Sequence, residues 1–370
     1  MQHTERIPAA DQFDRFDRFG ARDRFDDEAT VERIADLSPT VREFVLRPAA
    51  GSRTWMPGSH LVVGVDPAPP TTRDWVAGAA FATRTYSLVD LPQAGTYTIA
   101  VKRLAPSRGG SRFMWALSEG DRIPIGGPQN HFTLSFDAPQ FLLVAAGIGI
   151  TPLLGMARVL ARKGADLAMR YAARSEQELV YSAPLRDVLG ARLRTFSSAD
   201  GQRLDLRAEI AALAPDAQLL VCGPLSLLQA ACDAWAQAGR PADRLRYETF
   251  GASGTRPAEP FWVRVKGRQD RIQVGADSTL LDALNDAGVE TLYDCLRGEC
   301  GLCALDIMEV EGEIDHRDVF LSSEEKRGNR RLCACVSRVA GGGVVIDSGF
   351  RDEHRPCDTG PVTQTPTNHP

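Results

Sequence analysis

The pattern of apolar and polar positions divides the chain into three stretches with different periodicities. In the first stretch, short apolar segments alternate with polar positions, which is the two-residue period of half-buried β-strands. These segments predict six strands, at residues 30–36, 41–47, 60–65, 83–89, 96–103 and 121–125. Several short strands at this spacing indicate a closed antiparallel β-barrel. Residues 67–80, rich in Pro, Thr, Gly and Ala, are predicted to be a loop insertion.

In the second stretch the apolar residues become continuous. Residues 141–146 read FLLVAA, which is typical of a strand buried on both faces of a parallel sheet. A glycine-containing turn follows, and Thr151 and Pro152 suit the N-cap and first position of a helix. Later strands then alternate with helices, at strands 167–173, 192–196 and 218–222 and helix 226–238. This alternation predicts a parallel sheet with crossover helices.

The third stretch follows a segment at residues 252–259 whose composition predicts a flexible linker. Residues 261–266 and 271–274 predict a hairpin, and residues 279–287 predict a helix capped by Asp277 or Ser278. A cysteine-rich loop comes next. At the two ends, residues 1–28 repeat Asp, Arg and Phe without a strand or helix period, and residues 351–370 are polar. Both ends are predicted to be disordered tails.

Composition and charge narrow the possible classes of protein. Hydrophobic and charged fractions of 43% and 25% are ordinary for globular domains, and 370 residues suffice for two or three of them. A net charge of −5 argues against nonspecific nucleic-acid binding. No apolar run approaches the roughly 20 residues of a membrane span, and the first residues lack a signal-peptide pattern. We therefore expect a cytoplasmic protein with no nucleic-acid or membrane partner.

Five of the eight cysteines crowd into one region, so they do not form a secreted disulfide framework. Cys295, Cys300 and Cys303 have C-x4-C-x2-C spacing, and a remote fourth cysteine stands at 333 or 335. This is the spacing of plant-type [2Fe-2S] sites, where two tetrahedral irons need four thiolates. Four thiolates also suit a structural zinc ion, but such sites usually pair two C-x2-C knuckles and this region contains one.

The cysteine region resembles the plant-type ferredoxin family. The resemblance implies a β-grasp α+β fold for residues 260–350. It favours Cys335 as the fourth ligand, because the Cys-Val-Ser-Arg segment that starts there carries the likeness, while Cys333 keeps the commoner ferredoxin spacing. The predicted cluster ligands are Cys295, Cys300, Cys303 and Cys335.

A second set of motifs lies in the predicted barrel. Arg84-Thr85-Tyr86-Ser87 comes first, a strand follows, and Gly109-Gly110-Ser111-Arg112 then opens a short helix. A Gly-Gly-Ser turn at a helix N-terminus offers backbone N–H groups and the positive end of the helix dipole to a phosphate. The guanidinium groups of Arg84 and Arg112 can add charge-assisted hydrogen bonds to that phosphate.

In this order the motifs resemble the flavin domain of the ferredoxin–NADP reductase superfamily, specifically the phthalate dioxygenase reductase family. The resemblance implies FMN rather than FAD, with Tyr86 against the flavin and the Ser87 hydroxyl near its N5. It implies flavin contacts at Arg84, Thr85, Tyr86, Ser87, Ala100, Val101, Lys102, Gly109, Gly110, Ser111 and Arg112.

The turn after residues 141–146 is a weak signal alone, because it is not the G-x-G-x-x-G of Rossmann dehydrogenases. Together with the Cys-Gly-Pro at 222–224 and the Tyr-Glu-Thr-Phe at 247–250, it resembles the pyridine-nucleotide domain of the same superfamily. That family generally uses NADH, although Arg174 could accept the 2′-phosphate of NADPH. The resemblance implies nucleotide contacts at Gly147, Gly149, Thr151, Cys222, Gly223 and Phe250, with Cys222 and Phe250 beside the nicotinamide and flavin rings.

Together these features predict a multidomain protein: an FMN-binding antiparallel barrel at residues 29–137, an NAD(P)H-binding α/β domain at 138–251 and the ferredoxin domain. A nicotinamide gives two electrons as hydride and a [2Fe-2S] cluster accepts one at a time, so a flavin belongs between them. We predict an NADH-dependent electron-transfer oxidoreductase with Ser87, Cys222 and Phe250 at the hydride-transfer site. Its predicted partner is a separate Rieske-type oxygenase that hydroxylates or demethylates aromatic compounds. The alternatives are a reductase for a diiron monooxygenase or cytochrome P450, and a noncatalytic redox sensor.

Overall fold

The computed structural model describes residues 25–65, 82–104, 109–250 and 256–349. The predicted loop 67–80, the tail 351–370, most of the tail 1–28 and residues 252–255 of the linker lie outside these ranges. The described residues form three β-sheets that follow one another along the chain. None of their helices is both long enough and apolar enough to cross a membrane.

The first sheet is antiparallel, with strand order β4-β3-β6-β1-β2-β5. Its two edges meet, because a bridge joins Leu88 to Ile99 and the N–H of Val89 donates to the carbonyl of Thr98 at 2.9 Å. The predicted closed barrel is thereby confirmed. Its elements are β1 (Asp27–Ser38), β2 (Val41–Pro48), β3 (Ser59–Val65), β4 (Ala82–Ser87), β5 (Tyr97–Lys102), α1 (Gly110–Ala116) and β6 (Arg122–Asn130).

The barrel core is built by the alternation that the sequence shows. Every second side chain of a strand faces inward, so Phe44 and Leu46 of β2 and Tyr97 and Ile99 of β5 lie in one buried cluster. Strand β1 begins at Asp27, which pairs with Ile125, so the first strand starts two residues before the predicted domain.

The second sheet is parallel, with order β11-β10-β7-β8-β9, and helices cover both of its faces. Strand order reverses between β7 and β10, which makes their carboxyl ends the expected ligand crevice. The elements are β7 (Gln140–Ala146), α2 (Ile150–Arg162), β8 (Asp166–Ala173), α3 (Ser182–Leu189), β9 (Leu193–Ser197), α4 (Leu206–Ala211), β10 (Gln218–Cys222), α5 (Leu225–Gln237) and β11 (Leu245–Glu248).

The start of α2 differs from the sequence prediction. A 3-10 turn at Gly147–Gly149 leads directly into the helix, which begins at Ile150. Thr151 is therefore inside the first turn rather than at the N-cap, and its hydroxyl donates to the carbonyl of Ile148 at 3.0 Å. The glycine turn itself closes the start of the helix, so no side-chain cap is used there.

The third sheet is mixed, with order β13-β12-β16-β14-β15 and a parallel β12–β16 pair. Its first helix is capped by Thr279, not by Asp277 or Ser278, because Thr279 and Asp282 form a reciprocal capping box. The elements are β12 (Phe261–Val265), β13 (Ile272–Val274), α6 (Leu280–Asp286), β14 (Ala304–Asp315), α7 (Ser323–Gly328), β15 (Arg331–Cys333) and β16 (Arg338–Asp347). This is the α+β ferredoxin domain that the sequence predicts.

The three units contact one another through packed and polar contacts. Gly155 of α2 approaches the backbone of Asp90, just after β4, so closely that a Cβ would lie 1.9 Å from the Asp90 carbonyl oxygen. Val319 of the ferredoxin domain belongs to the buried cluster on one face of the parallel sheet. The amide of Gln229 on α5 donates to the Ser323 hydroxyl at 2.9 Å. The domain boundaries at 29–137, 138–251 and 260–350 remain a prediction.

Candidate electron-transfer site

The cysteine loop between α6 and β14 carries Cys295, Cys300 and Cys303. Gly298 and Gly301 within it have φ of +75° and +76°, where a side chain is strained. There is also no room for a side chain at either position. A Cβ at Gly298 would lie 2.7 Å from the Val336 side chain, and a Cβ at Gly301 would lie 2.3 Å from the Phe320 ring. The loop can therefore curl tightly only because both positions are glycine.

The loop also points backbone donors at one sulfur. The N–H groups of Arg297, Glu299 and Cys300 donate to Cys295 Sγ at 3.5, 3.3 and 3.4 Å. A hydrogen bond from the Cys335 thiol, together with these backbone bonds, holds the pKa of Cys295 well below its usual range. A metal site needs the thiolate form, so the loop fits a plant-type cluster.

The two candidates for fourth ligand lie in different positions. Cys333 is the last residue of β15 and pairs with Ala304 in the sheet, and its thiol contacts that of Cys303. Cys335 follows the strand, and its thiol contacts both Cys295 and Cys303. Because Cys335 touches two of the other predicted ligands, it remains our proposed fourth ligand.

The predicted phosphate-binding residues come together at the start of α1. A Cβ at Gly110 would lie 2.8 Å from the Arg84 side chain, so the glycine lets that arginine pack against the helix. Gly109 caps the helix with φ of +89°, and the Ser111 hydroxyl accepts the N–H of Leu104 at 3.2 Å. Arg112 is exposed on the same turn. This arrangement fits a phosphate-bearing cofactor.

The other predicted flavin contacts lie on β4 and β5. Thr85 and Tyr86 are half-buried, and Ala100 and Val101 are buried. Lys102 pairs instead with Glu178 beyond β8, at 3.1 Å, and so ties the barrel to the α/β unit.

The predicted nucleotide residues lie where strand order reverses. A Cβ at Gly149 would lie 2.2 Å from the carbonyl oxygen of Cys222, so a glycine is needed where the turn after β7 touches the end of β10. Gly147, with φ of +54°, begins that turn, and Thr151 is buried beside it. Gly223 packs closely on Ala146, since its Cβ would lie 3.0 Å from that side chain.

The two predicted ring neighbours differ in exposure. Cys222 is fully buried, and burial raises the pKa of its thiol well above the usual range, so it stays protonated. Phe250, two residues beyond β11, is exposed. Cys222 is thus a buried neutral thiol at the end of β10, and Phe250 presents an exposed ring beyond the end of β11.

A buried polar junction joins all three units. The Ser87 hydroxyl at the end of β4 donates to Glu248 Oε2 at 2.9 Å, and Arg297 Nη1 of the cysteine loop donates to Glu248 Oε1. Exposure is 0% for Glu248 and 3% for Arg297. Burial raises the pKa of Glu248, against the lowering effect of Arg297.

The sequence analysis did not identify Glu248, Arg297 or Glu299 as site residues. All three stand inside motifs that were recognised for their neighbours, Phe250 and the cysteines. Charged residues inside a motif are a usable signal, but nothing in the sequence pairs one motif's carboxylate with another motif's arginine.

Comparison with known proteins decides the family. Residues 263–340 match the family described as the 2Fe-2S iron-sulfur cluster binding domain. The chain is 35% identical over 328 residues to the heme-dependent oxidative N-demethylase beta subunit of Ectopseudomonas mendocina, covering 86% of this chain and 98% of that protein. It is 31% identical to the vanillate O-demethylase oxidoreductase of Acinetobacter baylyi, covering 86% and 98%. The solved structure of phthalate dioxygenase reductase matches with a TM-score of 0.68 at 29% identity, covering 86% of this chain and 97% of that one.

The chain belongs to the phthalate dioxygenase reductase family. The family predicted from the motifs, the multidomain fold and the assignment as an oxidoreductase are thereby confirmed. That solved structure is described as a modular structure for electron transfer from pyridine nucleotides to [2Fe-2S], and the described residues of this chain likewise form three sheet units.

Proposed function

We propose that the protein takes electrons from NADH onto FMN and passes them through its [2Fe-2S] cluster to a terminal oxygenase on a separate chain. The flavin, when bound, accepts two electrons as hydride and releases them one at a time. The observation that carries the proposal is the junction of Ser87, Glu248 and Arg297, which brings the flavin, nucleotide and cluster units to one point.

The cofactor contacts follow from the site. Arg84, Gly109, Gly110 and Ser111 hold the FMN phosphate, and the crevice beyond β7 and β10 takes the nucleotide. Arg174, just after β8, is exposed and could reach a nucleotide's adenosine ribose, so comparing NADH with NADPH as donors tests the nucleotide preference. Cys295, Cys300, Cys303 and Cys335 hold the cluster.

The outer side of the cysteine loop supports electron exit to a partner. Leu302, between two proposed ligands, is 51% exposed, and Leu292 is 71% exposed. Exposed large apolar side chains beside a redox centre suit a transient protein contact. Electrons would thus enter at the buried junction and leave at the exposed side of the loop.

We propose a Rieske-type oxygenase as the partner, as the family resemblance implies. A haem-dependent oxygenase is the second candidate, because one relative is the beta subunit of a heme-dependent oxidative N-demethylase. The cytoplasmic location expected from the sequence remains a prediction.

The test begins with the purified protein. We expect bound FMN on chromatography and about two irons with matching acid-labile sulfide per chain. NADH should reduce both ferricyanide and the oxygenase. Leu302→Asp should slow only oxygenase reduction, because ferricyanide can take electrons from the flavin directly. One zinc and no iron, or no flavin reduction by NADH, would refute the proposal.

A further inference from the structure

The carboxylate of Glu248 receives a hydrogen bond from each of the other two units. Ser87, at the end of barrel strand β4, donates to one oxygen at 2.9 Å. Arg297, in the cysteine loop of the ferredoxin domain, donates to the other. A carboxylate held on both oxygens has one orientation, so the position of the Ser87 hydroxyl depends on a residue of a different domain.

Arg297 and its loop are held by Thr249, the residue after Glu248, and Arg297 also lies beside Glu299. The Thr249 hydroxyl donates to the carbonyl of Arg297 at 2.7 Å, and the Thr249 N–H donates to the carboxylate of Glu299. Arg297 Nη2 also lies 3.5 Å from Glu299 Oε2. The end of β11 and the cysteine loop are therefore joined at several points, and the one hydrogen bond of the guanidinium to a described residue goes from Nη1 to Glu248.

Docking of the ferredoxin domain does not by itself require this buried charge. Val319 packs into the apolar cluster of the α/β unit, and Ser323 on α7 accepts a hydrogen bond from Gln229 on α5. A buried ion pair is a weak source of stability, because desolvation offsets much of the attraction between the charges. We therefore look for a role of Arg297 other than holding the ferredoxin domain against the α/β unit.

We propose that Arg297 is a positioning residue for hydride transfer: from the cluster-binding loop, it holds Glu248 in the orientation that receives the Ser87 hydroxyl at the flavin. This inference rests on the proposed function. In that reaction the nicotinamide loses a hydride, which is a proton with two electrons, and the flavin gains it. Arg297 exchanges neither proton nor electron, and it acts through Glu248 and Ser87.

The proposal predicts that the rate of flavin reduction depends on the ferredoxin domain. The ferredoxin domain is the electron exit, yet it would also complete the entry site. A protein that lacks this domain's loop contact should reduce its flavin slowly, even though every residue assigned to flavin and nucleotide binding is intact.

The test compares Arg297→Gln with Arg317→Gln in the full-length holoprotein. Arg317 is an equally buried arginine of the same domain, at 4% exposure, but it pairs within the domain, with Asp315 at 2.7 Å. Stopped-flow mixing with NADH gives the limiting rate of flavin reduction and the Kd for NADH. We expect Arg297→Gln to lower the limiting rate at least tenfold with Kd changed less than threefold, and Arg297→Lys to recover part of the rate.

Two further measurements separate positioning from a general structural effect. Spectroelectrochemistry should show a more negative flavin reduction potential in Arg297→Gln, because a positive charge is lost near the flavin, and an unchanged potential in Arg317→Gln. In a Ser87→Ala background, Arg297→Gln should lower the limiting rate of flavin reduction little further, because the Ser87–Glu248 hydrogen bond is already absent. Full additivity of the two rate losses would overturn the proposal.

If Arg297→Gln loses its cluster, the double variant Arg297→Gln/Glu248→Gln carries the test, because it does not leave Glu248 as a fully buried charge without its arginine. Its limiting rate should equal that of Glu248→Gln alone, and a further loss would contradict the inference. A wild-type protein that NADH does not reduce would refute the proposed function. Equal limiting rates of flavin reduction in the wild-type protein and in Arg297→Gln would refute only this inference.

Discussion

Replacing Gly155 with alanine should disturb the contact between the flavin and nucleotide units. Gly155 lies within helix α2, where alanine is favoured over glycine by about 1 kcal/mol. The added Cβ, however, would lie 1.9 Å from the carbonyl oxygen and 2.8 Å from the carbonyl carbon of Asp90. Both are backbone atoms that follow β4, so no side chain can rotate out of the way.

The size of the effect follows from these distances. An ordinary contact of about 3.4 Å requires roughly 1.5 Å of movement between α2 and the barrel. Overpacking of this kind costs about 1–3 kcal/mol, which equals or exceeds the helix-propensity gain. A displacement near 1 Å between reacting groups can cost on the order of 100-fold in rate. We therefore expect a net loss of up to about 2 kcal/mol of stability and a large loss in the rate of flavin reduction.

Gly328 provides the matched control. It is also helical, as the last residue of α7, but the nearest atom to its Cβ would be a side-chain carbon of Arg330 at 4.0 Å. Gly328→Ala should be neutral or stabilising by up to about 1 kcal/mol, with an unchanged rate. Denaturant unfolding and stopped-flow reduction by NADH measure both quantities. The reasoning fails if Gly155→Ala is as stable as Gly328→Ala and reduces its flavin at the wild-type rate.

Three further predictions follow from the sites. Cys335→Ser should abolish the reduced-cluster EPR signal while Cys333→Ser keeps it, and the opposite result would reverse the ligand assignment. Arg84→Ala should weaken FMN binding roughly ten- to hundredfold in equilibrium dialysis, since a charge-assisted hydrogen bond is worth about 1.5–3 kcal/mol; an unchanged Kd would exclude Arg84 as a phosphate ligand. Burial, with Arg297 and His131 nearby, lowers the pKa of His60 to about 3, so below pH 6.5 only the unfolded chain gains this proton. His60 should therefore lower the free energy of unfolding by about 2 kcal/mol between pH 6.5 and 5. In denaturant unfolding, the stability of His60→Gln should depend less on pH than that of the wild type, and an equal dependence would contradict a buried neutral imidazole.

The sequence alone determined the sheet types and the cofactor class. Strand alternation, the FLLVAA run and the C-x4-C-x2-C spacing are properties of near neighbours, and they persist in any arrangement of the domains. The order of the motifs was enough for the family, because each motif keeps its place relative to the elements around it. The residue that caps a helix was harder to predict. At the start of α6, three successive residues have side chains that can accept a hydrogen bond from the helix, and the structure uses Thr279.

The tertiary structure decided the contacts that make one site out of three motifs. Ser87 and Glu248 lie 161 positions apart, and Arg297 reaches Glu248 from another 49 positions along the chain. No periodicity records such pairings, since they depend on how the folded units pack. The same holds for the two helical glycines: Gly155 and Gly328 look alike in the sequence, and only the approach of the Asp90 backbone makes the first one indispensable.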